Sequence, residues 1–300
     1  LLVDLALRDR RAVAALAEAG DYQDALDRAR IVGREQGFLI GVRVISGTLS
    51  ARQAGAAYAG LAETLIAALA TRVEAELERQ HGRLPGGRAA IIAMGKLGGR
   101  EMTAGSDLDL IVVYDYEGAD AQSDSSRPLP GPQYYSRFTQ RLIAALSAET
   151  AEGSLYQVDM RLRPSGSQGP VATKLSSFID YQKASAWTWE HLALTRARVV
   201  AESAALRETI NDTIREVLAR PRDRAAVAED VRTMRAKIEE EKGTSDIWDL
   251  KQVRGGLIDL EFIAQFLQIV SAAEHPEVLD QNTETALSKL ASAGVLAPAD

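Results

Sequence analysis

Residues 94–115 read Met-Gly-Lys-Leu-Gly-Gly-Arg-Glu-Met-Thr-Ala-Gly-Ser-Asp-Leu-Asp-Leu-Ile-Val-Val-Tyr-Asp, and the organisation of the chain unfolds from them. Asp107 and Asp109 head an apolar run, Leu110, Ile111, Val112 and Val113. A β-strand sends alternate side chains to opposite faces, so residues two apart share a face. Two carboxylates on one face beside a core repel each other and resist burial. A bound divalent cation removes both difficulties. Just upstream, Gly95, Gly98, Gly99, Gly105 and Ser106 let backbone N–H groups approach a phosphate. A glycine-rich turn feeding a carboxylate pair on a strand suits a metal-bound nucleoside triphosphate.

Around this segment the pattern is mostly helical. Leu5, Ala12, Leu16 and Ala19 recur at helical spacing, residues 22–45 predict a second helix, and Ser50 is placed to cap a third that runs to about Gln80. Residues 81–88 carry Pro85, Gly86 and Gly87 and break the pattern. Short strands are predicted over 89–94 and 108–114. Residues 118–132, rich in Ser, Asp, Pro and Gly, read as a surface loop. A helix over 133–152 follows, then a third strand over 155–162, with Asp159, Arg161 and Arg163 in phase opposite its apolar side. Residues 176–200, 201–220 and 222–242 read as helices, and so do 257–273, after Gly255 and Gly256, and about 282–293. Strands clustered between helical regions predict an α+β fold. The expected domains are a helical region over 1–85, a catalytic domain over 86–205 and a second helical domain over 206–300.

Composition narrows the function. The chain of 300 residues has 35 Lys and Arg against 42 Asp and Glu, a net charge of −7, so it lacks the overall basic character of most DNA- or tRNA-binding proteins. Cysteine is absent, which excludes disulfides and thiolate metal sites and suits a reducing cytoplasm. No apolar run reaches the length of a membrane span. There is no P-loop and no Gly-x-Gly-x-x-Gly. The chain opens on Leu1 and stops at Asp300 soon after Pro298, and reads as a piece of a larger protein.

Five blocks carry a resemblance. They are Met-Gly-Lys-Leu-Gly-Gly-Arg-Glu from 94, Ser-Asp-Leu-Asp-Leu from 106, Val-Asp-Met-Arg-Leu-Arg-Pro-Ser-Gly from 158, Ala-Trp-Thr-Trp-Glu-His-Leu-Ala-Leu-Thr-Arg-Ala-Arg from 186, and Asp-Leu-Lys-Gln-Val-Arg-Gly-Gly-Leu-Ile-Asp-Leu-Glu-Phe from 249. In this order they resemble bacterial glutamine synthetase adenylyltransferase, a member of the DNA polymerase β-type nucleotidyltransferases. The resemblance implies a polymerase β-like small mixed sheet flanked by helical regions. It implies transfer of AMP from ATP to a tyrosine of glutamine synthetase in the control of nitrogen assimilation, the wording around 106 and 186 being closer to the attaching unit. The alternatives are phosphorolytic removal of AMP by the family's other unit, or a non-catalytic ATP- or effector-sensing module. Asp107, Asp109 and Asp159 would hold two Mg²⁺, with Asp159 as metal ligand or base. Gly95, Lys96, Gly98, Gly99, Gly105 and Ser106 would grip the β- and γ-phosphates. The wider superfamily usually has Ser where Lys96 stands, so no serine role carries over there. Arg161, Arg163, Lys251 and Arg254 are candidates for neutralising substrate phosphate. PII signalling proteins and glutamine are the implied effectors. Trp187, Trp189 and Trp248 are expected to pack, His191 to be structural, and Asp259 and Glu261 to play no catalytic part.

Overall fold

The computed structural model describes residues 18–118, 120–202 and 204–296. The predicted helix through Leu5, Ala12 and Leu16 lies outside the described residues. The side chain of Asp21 accepts from the Asp24 N–H (2.8 Å) and starts α1 (Tyr22–Ile45). Ser50 and Gln53 form a reciprocal capping box, each side chain bonded to the other's backbone N–H, and start α2 (Ala51–His81). There follow β1 (Arg88–Ala93), the single turn α3 (Gly95–Gly98), β2 (Leu108–Asp115), α4 (Gly131–Ser147), β3 (Val158–Asp159), β4 (Thr173–Lys174), α5 (Leu175–Ala184), α6 (Thr188–Leu194), β5 (Arg198–Glu202), α7 (Ala204–Leu218), α8 (Arg224–Lys242), α9 (Leu257–Ser271) and α10 (Thr283–Ser292). The fold is α+β.

The strands lie in the order β3-β2-β1-β5, with β4 also on β2. β1 is antiparallel to β2 and to β5, while β3 and β4 run parallel to β2. Leu108, Leu110, Val112 and Tyr114 on one face of β2 join the core that α2 fills with Leu61, Leu65, Ile66, Leu69, Val73 and Leu77. By strand alternation Asp107 and Asp109 therefore lie on the face turned from that core. α2 is long and apolar enough by composition to cross a membrane, yet these six residues pack into the core, each side chain contributing about 1.5–3 kcal/mol on burial.

Arg30, fully buried on α1, bonds the Leu26, Ala145, Ala148 and Gly153 carbonyls, the last at 2.7 Å. A buried guanidinium is tolerated because its donors are satisfied. It ties α1 to the C-terminal end of α4, where unpaired carbonyls and the helix dipole both favour a cation.

Two predicted elements are corrected. The third strand is confined to Val158–Asp159; the chain then turns, with Arg163 N–H donating to the Met160 carbonyl at 3.2 Å, and Pro164 has no N–H for a ladder. The single helix read over 176–200 is two short helices and a strand, β5. Arg198–Glu202 contains Val199 and Val200 and pairs along β1, whose edge offers hydrogen bonds that local propensity does not foresee.

The chain divides into two compact units, Leu1–Phe178 with Arg198–Ile210, and Ile179–Ala197 with Asn211–Asp300. The second is helical, with a small core of Leu267, Ala272, Val278 and Leu290. His191 is buried there, its Nε2 facing the Gln182 carbonyl (3.0 Å) and its Nδ1 accepting from Arg222 (3.1 Å); burial pushes its pKa down, consistent with a neutral structural imidazole. The three tryptophans do not pack as expected: Trp187, Trp189 and Trp248 are 69%, 37% and 82% exposed.

In the same unit Asp259 accepts from the Arg235 guanidinium and from Gly255 N–H, joining α8, the turn before α9 and α9 itself. The Arg235 contact, first, and the Gly255 amide hold the Asp259 carboxyl below its ordinary value. A depressed folded pKa contributes stability above the unfolded carboxyl value of about 3.9, and that stability is lost as pH falls through the folded value. Asp259→Asn is expected to destabilise by about 1.5–3 kcal/mol at pH 7, the range for hydrogen bonds to charged groups. Urea midpoints measured from pH 7 downward should show the gap between variant and parent narrowing below about pH 4; a gap constant with pH contradicts this account.

Candidate nucleotide and metal site

The first unit builds its acidic site from the register of two strands. β2 and β3 are parallel, with Leu108 opposite Val158 and Asp109 opposite Asp159. Paired residues on neighbouring strands present side chains to the same face about 4.8 Å apart. Asp107, two residues before Asp109, joins them there. One carboxylate oxygen from each of Asp107, Asp109 and Asp159 lies within 4.8 Å of the others. Asp107 is exposed, and Asp109 and Asp159 are half-buried. Three hard oxygen donors this close match the chemistry of a divalent cation such as Mg²⁺.

Arg161 sits on the cluster's border. Its Nε bonds both oxygens of Asp159 (3.0 and 2.8 Å), Nη2 bonds one of them, and its N–H donates to Oδ1 at 2.8 Å. The side-chain contact with Arg161 is the main cause that holds the Asp159 carboxyl below the usual range, against an upward push from partial burial. Arg161 is 78% exposed, so its guanidinium also faces solvent.

Gly95 makes the strand-to-turn junction. It adopts φ +51°, and a Cβ placed there would overlap Asp109 Oδ2. On its other side Met94 N–H donates to the Asp109 carbonyl at 2.9 Å. The single turn α3 then carries the half-buried Lys96, the residue after Gly95. The amides of Gly98 and Gly99 are spent inside this turn, on Met94 (2.9 Å) and Gly95 (3.1 Å). Ser106 closes a second turn, its hydroxyl accepting from Thr103 N–H at 2.9 Å, and Gly105 within it is exposed.

The other candidates divide. Arg163 is in phase with Asp159 by strand alternation, but the chain turns after Asp159. Its guanidinium is taken up by the carbonyls of Met160 (2.8 Å), Pro170 (3.1 Å) and Gly169 (3.3 Å). It holds the loop after Asp159. Lys251 and Arg254 belong to the second unit, where both are exposed on the segment ahead of α9.

Sequence reasoning missed Glu63 and Arg198. Arg198 leaves β5 opposite Ala93, the last residue of β1, and bonds the carbonyls of Leu97 (2.9 Å) and Gly98 (3.1 Å) as well as Glu63 Oε1 of α2 (2.5 Å). Arg198 closes the fourth resemblance block, yet no local spacing links it to α3.

Comparison with known proteins bears on this arrangement. The model of the family GlnE, glutamate-ammonia ligase adenylyltransferase, matches residues 4–213, and that of GlnD PII-uridylyltransferase matches 232–300. The chain is 52% identical over 297 residues to a protein of Rhodopseudomonas palustris (strain BisB5), covering 99% of this chain and 30% of the relative. It is 53% identical over 286 residues to one of Xanthobacter autotrophicus, covering 95% of this chain and 29% of the relative. Both carry the name bifunctional glutamine synthetase adenylyltransferase/adenylyl-removing enzyme. The chain thus spans under a third of these relatives, and its blocks from Met94 to Phe262 fall inside the aligned stretch. A family match over residues 4–213, together with half of all residues identical along nearly the whole chain, shows that this chain belongs to the glutamate-ammonia ligase adenylyltransferase family.

Proposed function

We propose that this chain carries a nucleotidyltransferase site that moves AMP from ATP to a tyrosine hydroxyl of glutamine synthetase. The observation that carries the reading is the convergence of Asp107, Asp109 and Asp159 beside the Gly95 turn, in a chain whose relatives are named for this transfer. In this reading residues 86–205 form the catalytic domain, 1–85 a helical linker or regulatory region, and 206–300 a C-terminal helical domain. The location is the cytoplasm, and glutamine and PII signalling proteins are the effectors.

The three carboxylates would hold Mg²⁺, two ions in the fullest form. When bound, such ions neutralise phosphate charge and steady the attacking and leaving oxygens. The chain's own groups do the rest. In this reading Asp159, oriented by the Arg161 guanidinium and N–H, is the acceptor for the tyrosine proton. The tyrosine oxygen bonds the α-phosphorus, the bond to the bridging oxygen breaks, and pyrophosphate leaves with the electron pair. Lys96 and Arg161 face the charge that develops on the phosphates, Arg161 with the paired donors a phosphate accepts best. Gly95, Gly98, Gly99, Gly105 and Ser106 shape the turns that bring the chain close to the nucleotide, and Arg163 fixes the loop after Asp159. Lys251 and Arg254 are exposed cations of the second unit, ahead of α9. Positioning of this kind supplies roughly 7–11 kcal/mol in favourable cases.

Incubation of the protein with ATP labelled at the α-phosphate, Mg²⁺ and glutamine synthetase is expected to place label on a tyrosine. A folded, ATP-binding protein that transfers none rules this reading out. The relatives' double name gives the reverse reaction a claim of its own. Modified glutamine synthetase and phosphate would then yield ADP and glutamine synthetase with its tyrosine hydroxyl restored, and measuring which direction this chain supports separates the two. Ligand binding without turnover would instead mark a sensing module.

A further inference from the structure

We propose that Arg198, held in place by Glu63, is the positioning residue that sets the nucleotide-gripping turn against Asp109. The inference rests on the nucleotidyl-transfer reading. The turn α3 is four residues long. Its last carbonyls, those of Leu97 and Gly98, have no helix to continue into and lie on buried residues. Arg198 donates to both, at 2.9 and 3.1 Å, from the strand beside the one that leads into the turn. Its side chain is 17% exposed and is anchored at 2.5 Å by Glu63, whose side chain is 21% exposed. α2 closes the other side: a Cβ at Gly55 would meet the Arg100 carbonyl at 3.1 Å and Glu101 Cα at 3.2 Å, where Arg100 bends the chain back at φ +57°. Residues 95–101 are thus gripped between β5 and α2. The opposite end of the same turn is Gly95, which touches the Asp109 carboxylate. Glu63, Arg198, α3, Gly95 and Asp109 form one chain of contacts. A shift of α3 moves Lys96 and the backbone of Gly95 relative to the acidic cluster while leaving the cluster's strands in place.

Release of this turn therefore weakens nucleotide binding more than the chemical step. In the full-length protein, Arg198→Ala is expected to raise KM for ATP about tenfold, the effect of losing hydrogen bonds from a charged donor to buried carbonyls. kcat should change by less than about threefold and KM for the acceptor protein should stay the same. Arg198→Lys should recover part of the loss, since an ammonium reaches one carbonyl but lacks the fork to hold two. Glu63→Gln should raise KM for ATP in the same direction, and adding it to Arg198→Ala should produce no further rise. An unchanged KM for ATP in folded Arg198→Ala overturns the proposal. So does a uniform fall in kcat with acceptor and ATP affinity intact. If Arg198→Ala does not fold, Arg198→Lys and Glu63→Gln decide: wild-type KM for ATP in both refutes positioning. Asp109→Asn serves as the reference. Retained transfer in Asp109→Asn overturns the transfer reading and this proposal with it. Loss of transfer there, alongside an unmoved Arg198→Ala, overturns this proposal alone.

Discussion

Asp109→Asn is expected to slow adenylyl transfer by on the order of 10³-fold while leaving the fold intact. A metal ion supplies several kcal/mol of charge stabilisation at the transferring phosphate, and each 1.36 kcal/mol is about tenfold in rate. Asp109 is the central ligand candidate. It is opposite Asp159 across the β2–β3 ladder, shares a face with Asp107, and receives Gly95 against its Oδ2. The amide replaces a charged acceptor by a neutral group of the same shape, so packing is kept. Removing one of three mutually repelling carboxylates relieves repulsion, and the variant should be no less stable than the parent. Single-turnover rates across a Mg²⁺ series, with thermal melting in parallel, check both halves. A variant that keeps its transfer rate at limiting Mg²⁺ would remove the metal from the proposed mechanism.

Gly95→Ala comes next in size, with transfer falling about 10²-fold, the loss expected when reacting groups are displaced by about 1 Å. The cause is steric. The backbone at Gly95 sits in the left-handed region, which costs a residue with a Cβ about 1–2 kcal/mol. The new methyl also lands on Asp109 Oδ2. The carboxylate has to swing off its place, which separates Asp109 from Asp107 and Asp159, or the turn has to give way, which moves Lys96 and the Gly95 backbone off the cluster. Gly60→Ala in α2, outside the proposed site, provides the contrast. That position has open space around it, so the same change there should leave transfer close to the parental rate. Equal rates for the two variants would show that the Gly95–Asp109 contact has no part in placing the carboxylate.

Much of this site was legible from the chain in one dimension. The spacing of Asp107 and Asp109 ahead of Leu110–Val113 carries its own three-dimensional meaning, because strand alternation is a local rule. The capping pair Ser50 and Gln53 is equally local. Phase along a strand failed wherever the strand stopped. Arg161 and Arg163 share a phase with Asp159, yet the chain turns after Asp159, so Arg161 folds back onto its carboxylate and Arg163 clamps the Met160, Gly169 and Pro170 carbonyls. Val199 and Val200 were absorbed into a helix because nothing nearby in sequence announces the open edge of β1.

The contacts that place α3 are of another kind. Glu63 and Arg198 stand 135 residues apart, and Arg30 reaches Gly153 across 123. A charged side chain carries no mark of its distant partner; the pairing emerges when burial strips water from both groups and leaves each needing the other. Periodicity and residue chemistry thus named the Asp107–Asp109 pair and the α+β class from the amino-acid order. The register of β3 on β2, the clamp on α3 and the exposed tryptophans of the second unit were settled by packing, since each depends on which surfaces the folded chain excludes from water.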